Sequence, residues 1–332
     1  MTKIVTKSIY LKMVKRILNK ILSGIDMPQE YICIEKGALV DPLKVFVSIK
    51  NEPGLIDVTA THLLLGYKPL LIGIPVDKKS NEFKFFNENE FVTLRFNHSG
   101  IGSVARISLK KTNSIADFDD TVLFLYEGMN ANHYFVNDFY QVFNKVKYKL
   151  SLREKDEAYL SWSLYQQVRV AYSFPRAISL MSLGRDGSYN LFPTDLNGKL
   201  NESYYVMSLR KNGKASDQVK SLKKIIVSTV QAFFYKTVYQ LGKNHMNDLQ
   251  PTNCFPFSEQ RSEKYQIPLP QNTVAYQELE LINTMEYGIH CLCFFKIIHK
   301  SDVITVSTLS HVHAYYAMWR KRKGFQDHWL IR

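Results

Sequence analysis

The chain has 332 residues, 45 % of them hydrophobic and 22 % charged, which is length enough for two domains with cores of their own and an ordinary globular composition, so that disorder is not the default reading. The 20 Tyr and 20 Phe favour β-structure. The formal net charge of +13 draws anionic partners without choosing among them, while no stretch reaches the roughly 18 uncharged apolar residues of a bilayer span.

Residues 9–22 place Tyr10, Met13, Val14, Ile17, Leu18, Ile21 and Leu22 on one helical face, which predicts an amphipathic docking helix ending near Gly24. The first twenty residues are too charged for a signal peptide. Strands are expected over 43–49, 69–74, 91–96 and 103–109, with an extended segment at 55–65 after the turn cluster Asn51-Glu-Pro-Gly54. Residues 135–150 predict a helix through Phe139, Val142, Phe143 and Val146, and the polar 151–157 a linker. The second half repeats the order. Residues 177–183 read as a strand, 184–187 as a turn, 189–197 as extended and 204–209 as a strand; 214–224 reads as a helix with Ser216 as its N-cap. Residues 225–241 fit a strand by β-branching and a helix by the spacing of Phe233, Phe234, Val238 and Leu241. Four prolines make 251–272 a long loop; 274–282 and 290–298 read as a closing pair of strands.

Cys33, Cys254, Cys291 and Cys293 form no CxxC pair and no zinc-finger spacing. Cys291 and Cys293 alternate in an apolar run and read as small hydrophobes. Without a disulfide framework a reducing, cytoplasmic compartment is expected. Asp57 and Asn190, and Thr61 and Thr194, stand at one common separation of 133 residues, which fits a tandem duplication as well as chance.

From Phe174 onward the chain reads FPRAISLMSLGRDGSYNLFPTDLNG, then ESYYVMSLRKNG, then KASDQVKSLKK. A strand and tight turn lead into an Asn-containing, hydroxyl-rich segment; a second strand and a basic segment opening a helix follow. In that order the parts resemble the flavin-reductase-like, FMN-binding split-barrel family. The likeness spans about Ala171 to Ile298, including closing strands from Gln271, with a weaker echo over 43–96 in GLIDVTATHLL and YKPLLIGI. The resemblance implies a mainly β fold with flanking helices: a split β-barrel, or two in tandem. The N-terminal split-barrel-like domain would cover 1–155 and the flavin-reductase-like domain 156–332.

It further implies an oxidoreductase that binds FMN and takes electrons from NAD(P)H. Family members pair as dimers with flavin at the interface, so a homodimer or an internal pseudo-dimer is expected. A flavin mononucleotide needs donors and a cation for its phosphate, an apolar slot for its ring and a few polar groups at its edge. Thr194, Lys214 and Ser216 are the phosphate candidates, Asn190 and Asn197 the ring or ribityl contacts, and Thr59 and Thr61 the first-half counterparts. Hydride transfer between stacked rings rests on positioning, so no catalytic residue is identified, and no metal site. Asp195 departs from the family, which often has a neutral hydroxyl residue there; a carboxylate repels a phosphate. Asn201-Glu-Ser203 likewise replaces the usual Asp-Pro-Pro, and Lys68-Pro69 is nearer that pattern. His311 and His313 share a strand face and read as packing or ligand-lining residues. A split barrel that binds a ligand without turnover is the alternative. Nucleic-acid binding, without an RNP or helix-turn-helix signature, is not expected.

Overall fold

Alternation of apolar and polar residues is what makes a half-buried strand, and Phe91-Val-Thr-Leu-Arg-Phe-Asn-His98 buries every second side chain. The computed structural model describes residues 29–35, 39–49, 54–151, 160–302 and 308–330; the helix expected over 9–22, and all but the first residue of the expected linker, lie outside them. The first half contains β1 (Tyr31–Glu35), β2 (Lys44–Ser48), β3 (Ile56–Asp57), β4 (Leu63–Tyr67), β5 (Leu70–Asp77), α1 (Asn81–Glu88), β6 (Phe91–His98), β7 (Gly102–Phe118), β8 (Thr121–His133), α2 (Asp138–Ser151) and α3 (Trp162–Ala171). The second begins with β9 (Arg176–Ala177), β10 (Ser179–Arg185), β11 (Ser188–Thr194), β12 (Asn197–Lys199), β13 (Tyr204–Arg210), α4 (Lys214–Leu222), β14 (Lys224–Val230) and α5 (Tyr235–Gln240). It continues with β15 (Gln250–Pro251), β16 (Phe257–Arg261), β17 (Pro268–Pro270), β18 (Thr273–Tyr287), β19 (His290–Lys300), β20 (Leu309–His313), α6 (Ala314–Arg322) and β21 (Trp329–Leu330).

The two halves have one topology. The first sheet runs β3-β2-β6-β7-β8-β5-β4; the second runs β11-β10-β14-β18-β19-β13-β12, with β15 added beyond β11. Strand for strand the orders match, and a helix follows the same strand in each. Asp77 and Arg210 end matching strands, Asn81 and Lys214 open matching helices, and Phe91 and Lys224 open the next strands, each pair 133 residues apart. The mainly β class with flanking helices, in two tandem units, is therefore present. The halves differ where β6 and β7 meet in a short turn, for there β14 and β18 are separated by residues 231–272. That insert holds α5, the 3-10 turn Leu241–Met246 and a β16–β17 hairpin, so the loop expected over 251–272 is partly ordered. A four-stranded sheet, β21-β1-β20-β9, gathers strands from both ends and the middle of the chain.

Strand β8 shows how the halves join. Its first six residues are all buried because both faces are covered. Phe124 and Tyr126 face the first-half core beneath Phe86 of α1. Leu123 and Leu125 face outward and pack with Leu65 and Leu71 against Leu200, Val206, Leu292 and Phe294 of the second half. Strand β19 does the reverse: Leu292 and Phe294 meet the seam, while Cys291, Cys293 and Phe295 fill the second-half core. The Asp186-Gly187 turn joins β10 to β11 with φ of 52° and 80°, the left-handed pair a two-residue hairpin demands.

Residues 225–241 resolve into both alternatives, a strand followed by helical turns. The N-cap of α4 is Gly213, not Ser216. Ser216 lies inside the first turn and is fully buried, so its hydroxyl is turned inward rather than across the helix end. Helix α1 and the long strand β8 were not marked by the sequence patterns. No helix among the described residues is long and apolar enough to cross a membrane.

Candidate functional site

A hollow of about 400 Å³ opens where the two halves meet, within the range of small-molecule sites. Tyr67, from the end of β4, supplies the first-half wall. The end of β11 and the turn after it (Pro193 to Leu196), the end of β13 (Ser208 to Arg210), His290 and the 3-10 turn with Lys243, His245 and Met246 supply the rest. A neighbouring chamber shares Tyr67, Arg210 and Met246 and adds Lys68, Lys211 and the α4 start at Gly213.

The turn after β11 is braced by the residues that the sequence singled out. Thr194 Oγ1 accepts from the Leu196 amide at 3.2 Å, and Asn197 Nδ2 donates to the Thr194 carbonyl at 2.9 Å. Asn197 Oδ1 accepts from Ser179 Oγ at 3.3 Å and from the Tyr205 hydroxyl. Asn190 works one layer further back. Its Nδ2 donates to Gln218 Oε1 at 2.7 Å and to the Asn244 carbonyl at 3.0 Å, while Asn244 Nδ2 donates to the Leu191 carbonyl at 2.8 Å. Asn190 thus pins the 3-10 wall to the sheet.

Of the seven residues marked in the sequence, Thr194 alone is among those lining the hollow. Lys214 Nζ lies 3.0 Å from Asp248 at the exposed surface. Ser216 is buried in α4. Thr59 Oγ1 is engaged by the Val45 amide at 2.8 Å, which caps an irregular edge of the first sheet, and Thr61 is exposed in the following turn. Thr194, Lys214 and Ser216 therefore do not converge.

Other side chains occupy that role. Arg210 Nε donates to the Tyr67 hydroxyl at 2.8 Å, across the seam. No carboxylate among the described residues pairs with Arg210 or Lys243 in an ion pair. His290 Nε2 accepts from the Tyr67 amide at 3.1 Å, so its Nδ1 carries the proton and donates to Ser208 Oγ at 3.2 Å. With its oxygen so engaged, the Ser208 hydroxyl proton is free to donate into the hollow. Burial, reinforced by the Arg210 charge, pulls the His290 pKa down to about 4, so the ring is neutral near pH 7. His245 Nε2 donates to the Pro193 carbonyl at 2.7 Å, and burial lowers its pKa too. Sequence reasoning passed over these groups because Arg210 and Lys243 look like surface cations and His290 like a core histidine. Only the fold closes Tyr67 over them.

Asp195 makes no ion pair with Arg210 or Lys243. Its Oδ2 accepts from His311 Nδ1 at 2.8 Å and from the Tyr172 hydroxyl at 3.0 Å. Burial pushes its carboxyl up, but the hydrogen bond and charge of His311 and the Tyr172 hydroxyl outweigh burial and hold the pKa below the ordinary value. His313 faces the same way along β20 but meets Glu30 at 3.4 Å, so the two histidines serve separate partners.

No family model matches this sequence, and no curated protein matches it. Solved structures do. The NADH:FAD oxidoreductase SgcE6 of Streptomyces globisporus C-1027 is 14 % identical, over 48 % of this chain and 95 % of that one, with a TM-score of 0.41. BorF, the flavin reductase component of a bacterial two-component tryptophan halogenase, is 13 % identical over 51 % and 98 %, with a TM-score of 0.40. An FMN-binding protein from Thermus thermophilus is 15 % identical over 46 % and 83 %, with a TM-score of 0.37. Each is similar to about half of this chain.

Proposed function

We propose that the hollow binds a phosphate-bearing flavin such as FMN, and that the chain is a flavin-reductase-like oxidoreductase taking electrons from a nicotinamide. The observation that carries this reading is the cationic hollow at the seam. Arg210 and Lys243 present positive charge, Ser208 presents an uncommitted hydroxyl, and Tyr67, Leu196 and Met246 present apolar and aromatic surface. An anion takes charge-assisted hydrogen bonds from such groups, and a planar ring takes the apolar side.

A bound flavin supplies the hydride-accepting chemistry. The protein's part is orientation: His290 fixes the Ser208 rotamer, Tyr67 holds Arg210 across the seam, and Asn190 and Asn197 hold the two walls. Thr194 braces the turn through its acceptor and has a proton left to donate. Lys214, Ser216, Thr59 and Thr61 take no part. The neighbouring chamber, with Lys68 and Lys211, is the room for the nicotinamide nucleotide.

One site per chain is proposed. At the 133-residue offset Arg210 is replaced by Asp77, Ser208 by Pro75 and Asp195 by His62, so the first half has neither the cation nor the hydroxyl. The first half, placed at residues 1–155, then serves as the closing partner of the second, at 156–332, in an internal pseudo-dimer. Titration of the protein with FMN, followed by flavin fluorescence quenching and by NADH and NADPH oxidation, tests this. Saturable quenching with nicotinamide oxidation is expected; quenching without oxidation would leave a binding module, and no quenching would end the flavin reading.

A further inference from the structure

We propose that Asp195 reads the ligand, its carboxylate kept from repelling an anion by a built-in counter-charge on His311, so that the hollow takes a molecule bearing both a phosphate and an N–H or O–H donor. This inference rests on the flavin reading and deepens it. The Asp195 side chain remains 17 % exposed, on the wall of the hollow. Its side-chain contacts to His311 and Tyr172 both fall on Oδ2; the carboxylate also takes a hydrogen bond from its own backbone amide, and its remaining acceptor capacity is what the imide edge or the ribityl hydroxyls of a flavin would use.

The counter-charge is built by geometry. His311 Nε2 lies 2.6 Å from the Tyr239 oxygen, which also accepts from the Cys33 thiol at 2.9 Å. Nδ1 thus points at a carboxylate oxygen and Nε2 at a hydroxyl, which can accept from the ring or donate to it. Five elements face it: Asp195 from the turn after β11, Tyr172 after α3, Tyr239 from α5, Cys33 from β1 and Arg176 from β9. Arg176 is the remaining cation; its guanidinium donates to the Ala171 carbonyl at 2.9 and 3.1 Å. Although burial lowers the His311 pKa, the hydrogen bonds and charges of Asp195 and Cys33 raise it overall to about 9. The matching residue of the first half, His62, is buried against Phe96 and Phe174, so the device exists once.

FMN and riboflavin affinities of the wild type, Asp195→Asn, His311→Gln and the double variant, measured between pH 7 and pH 10, test the proposal. Wild-type FMN affinity is expected to fall on the order of tenfold as His311 loses its proton and leaves the Asp195 charge uncompensated. Asp195→Asn should be flat over that range. His311→Gln should bind FMN about tenfold more weakly at pH 7, and the double variant should recover. Riboflavin, which lacks the phosphate, should show no such loss; ionisation of the flavin itself is common to all variants and cancels. Matching pH profiles for wild type and Asp195→Asn would overturn the inference while leaving FMN binding intact. If His311→Gln does not fold, that pair decides alone. Wild type that fails to bind FMN at pH 7 overturns the flavin reading, and this inference with it.

Discussion

Arg210 and Lys214 stand four residues apart and have opposite fates. Arg210 ends β13 at the seam and reaches Tyr67, whereas Lys214 is turned by α4 toward Asp248. Arg210→Ala is expected to weaken FMN binding at least tenfold, since a hydrogen bond to a charged group contributes about 1.5–3 kcal/mol. Lys214→Ala should leave the affinity within twofold; the reverse order in a quenching titration would relocate the phosphate site. Two histidines make stability depend on pH in opposite senses. His290, held at about 4 against an ordinary 6.5, contributes fully above pH 6.5. That contribution is lost as the pH falls toward 4, because the unfolded chain takes up the proton first; it is on the order of 3 kcal/mol. His311, raised to about 9, contributes fully below pH 6.5, and its share is lost as the pH rises through 9. The urea midpoint should therefore peak near pH 6.5 and fall on both sides, and the alkaline fall should shrink in His311→Gln.

The 3-10 turn Leu241–Met246 forms a wall of the site, though it has little intrinsic stability at six residues. Asn190, Asn244 and Gln218 hold it to β11 and α4. Asn190→Ala removes two hydrogen bonds in a buried setting, at a cost of about 1–3 kcal/mol. It is expected to lower both the urea midpoint and FMN affinity, although Asn190 is not among the residues lining the hollow. Unchanged affinity in a destabilised Asn190→Ala protein would show that the wall is not needed for binding. The strands around this wall were legible because period-2 patterns and β-branched runs need no partner to be seen. The wall itself was not, because residues 225–241 carry a strand signal and a helix signal together, and residues 242–246 carry no periodic pattern of their own.

At the scale of the whole molecule, the seam decides whether a site exists. Leu123 and Leu125 of β8 face Leu292 and Phe294 of β19, as two protomers would in a dimer, and the glycine between β18 and β19 seats against the first half. Gly288 has φ of +57°, and a Cβ there would lie 2.4 Å from Pro69 Cδ. Leu292→Ala should cost about 2–5 kcal/mol for the cavity it leaves and should weaken FMN binding as well, because Tyr67 and Arg210 belong to opposite halves. Affinity that holds while stability falls would separate the seam from the site.

The sequence by itself determined the elements whose signal is local: the strands over 43–49, 91–96, 204–209 and 290–298, the helix opening at Lys214 and the turn at 184–187, while the 133-residue echo became two like units only through the matching sheet orders. Those local elements depend on side-chain period, turn chemistry and spacing, which neighbours in the chain set. Tertiary structure alone decided which polar groups meet. Thr194 lines the hollow, and Lys214 and Ser216 do not, because the helix capped by Gly213 carries Lys214 to Asp248 at the surface and buries Ser216. Tyr67 and Arg210 stand 143 positions apart, and Asp195 and His311 116 apart. No periodicity joins residues that distant; only the packing of one sheet on another brings them within hydrogen-bond reach.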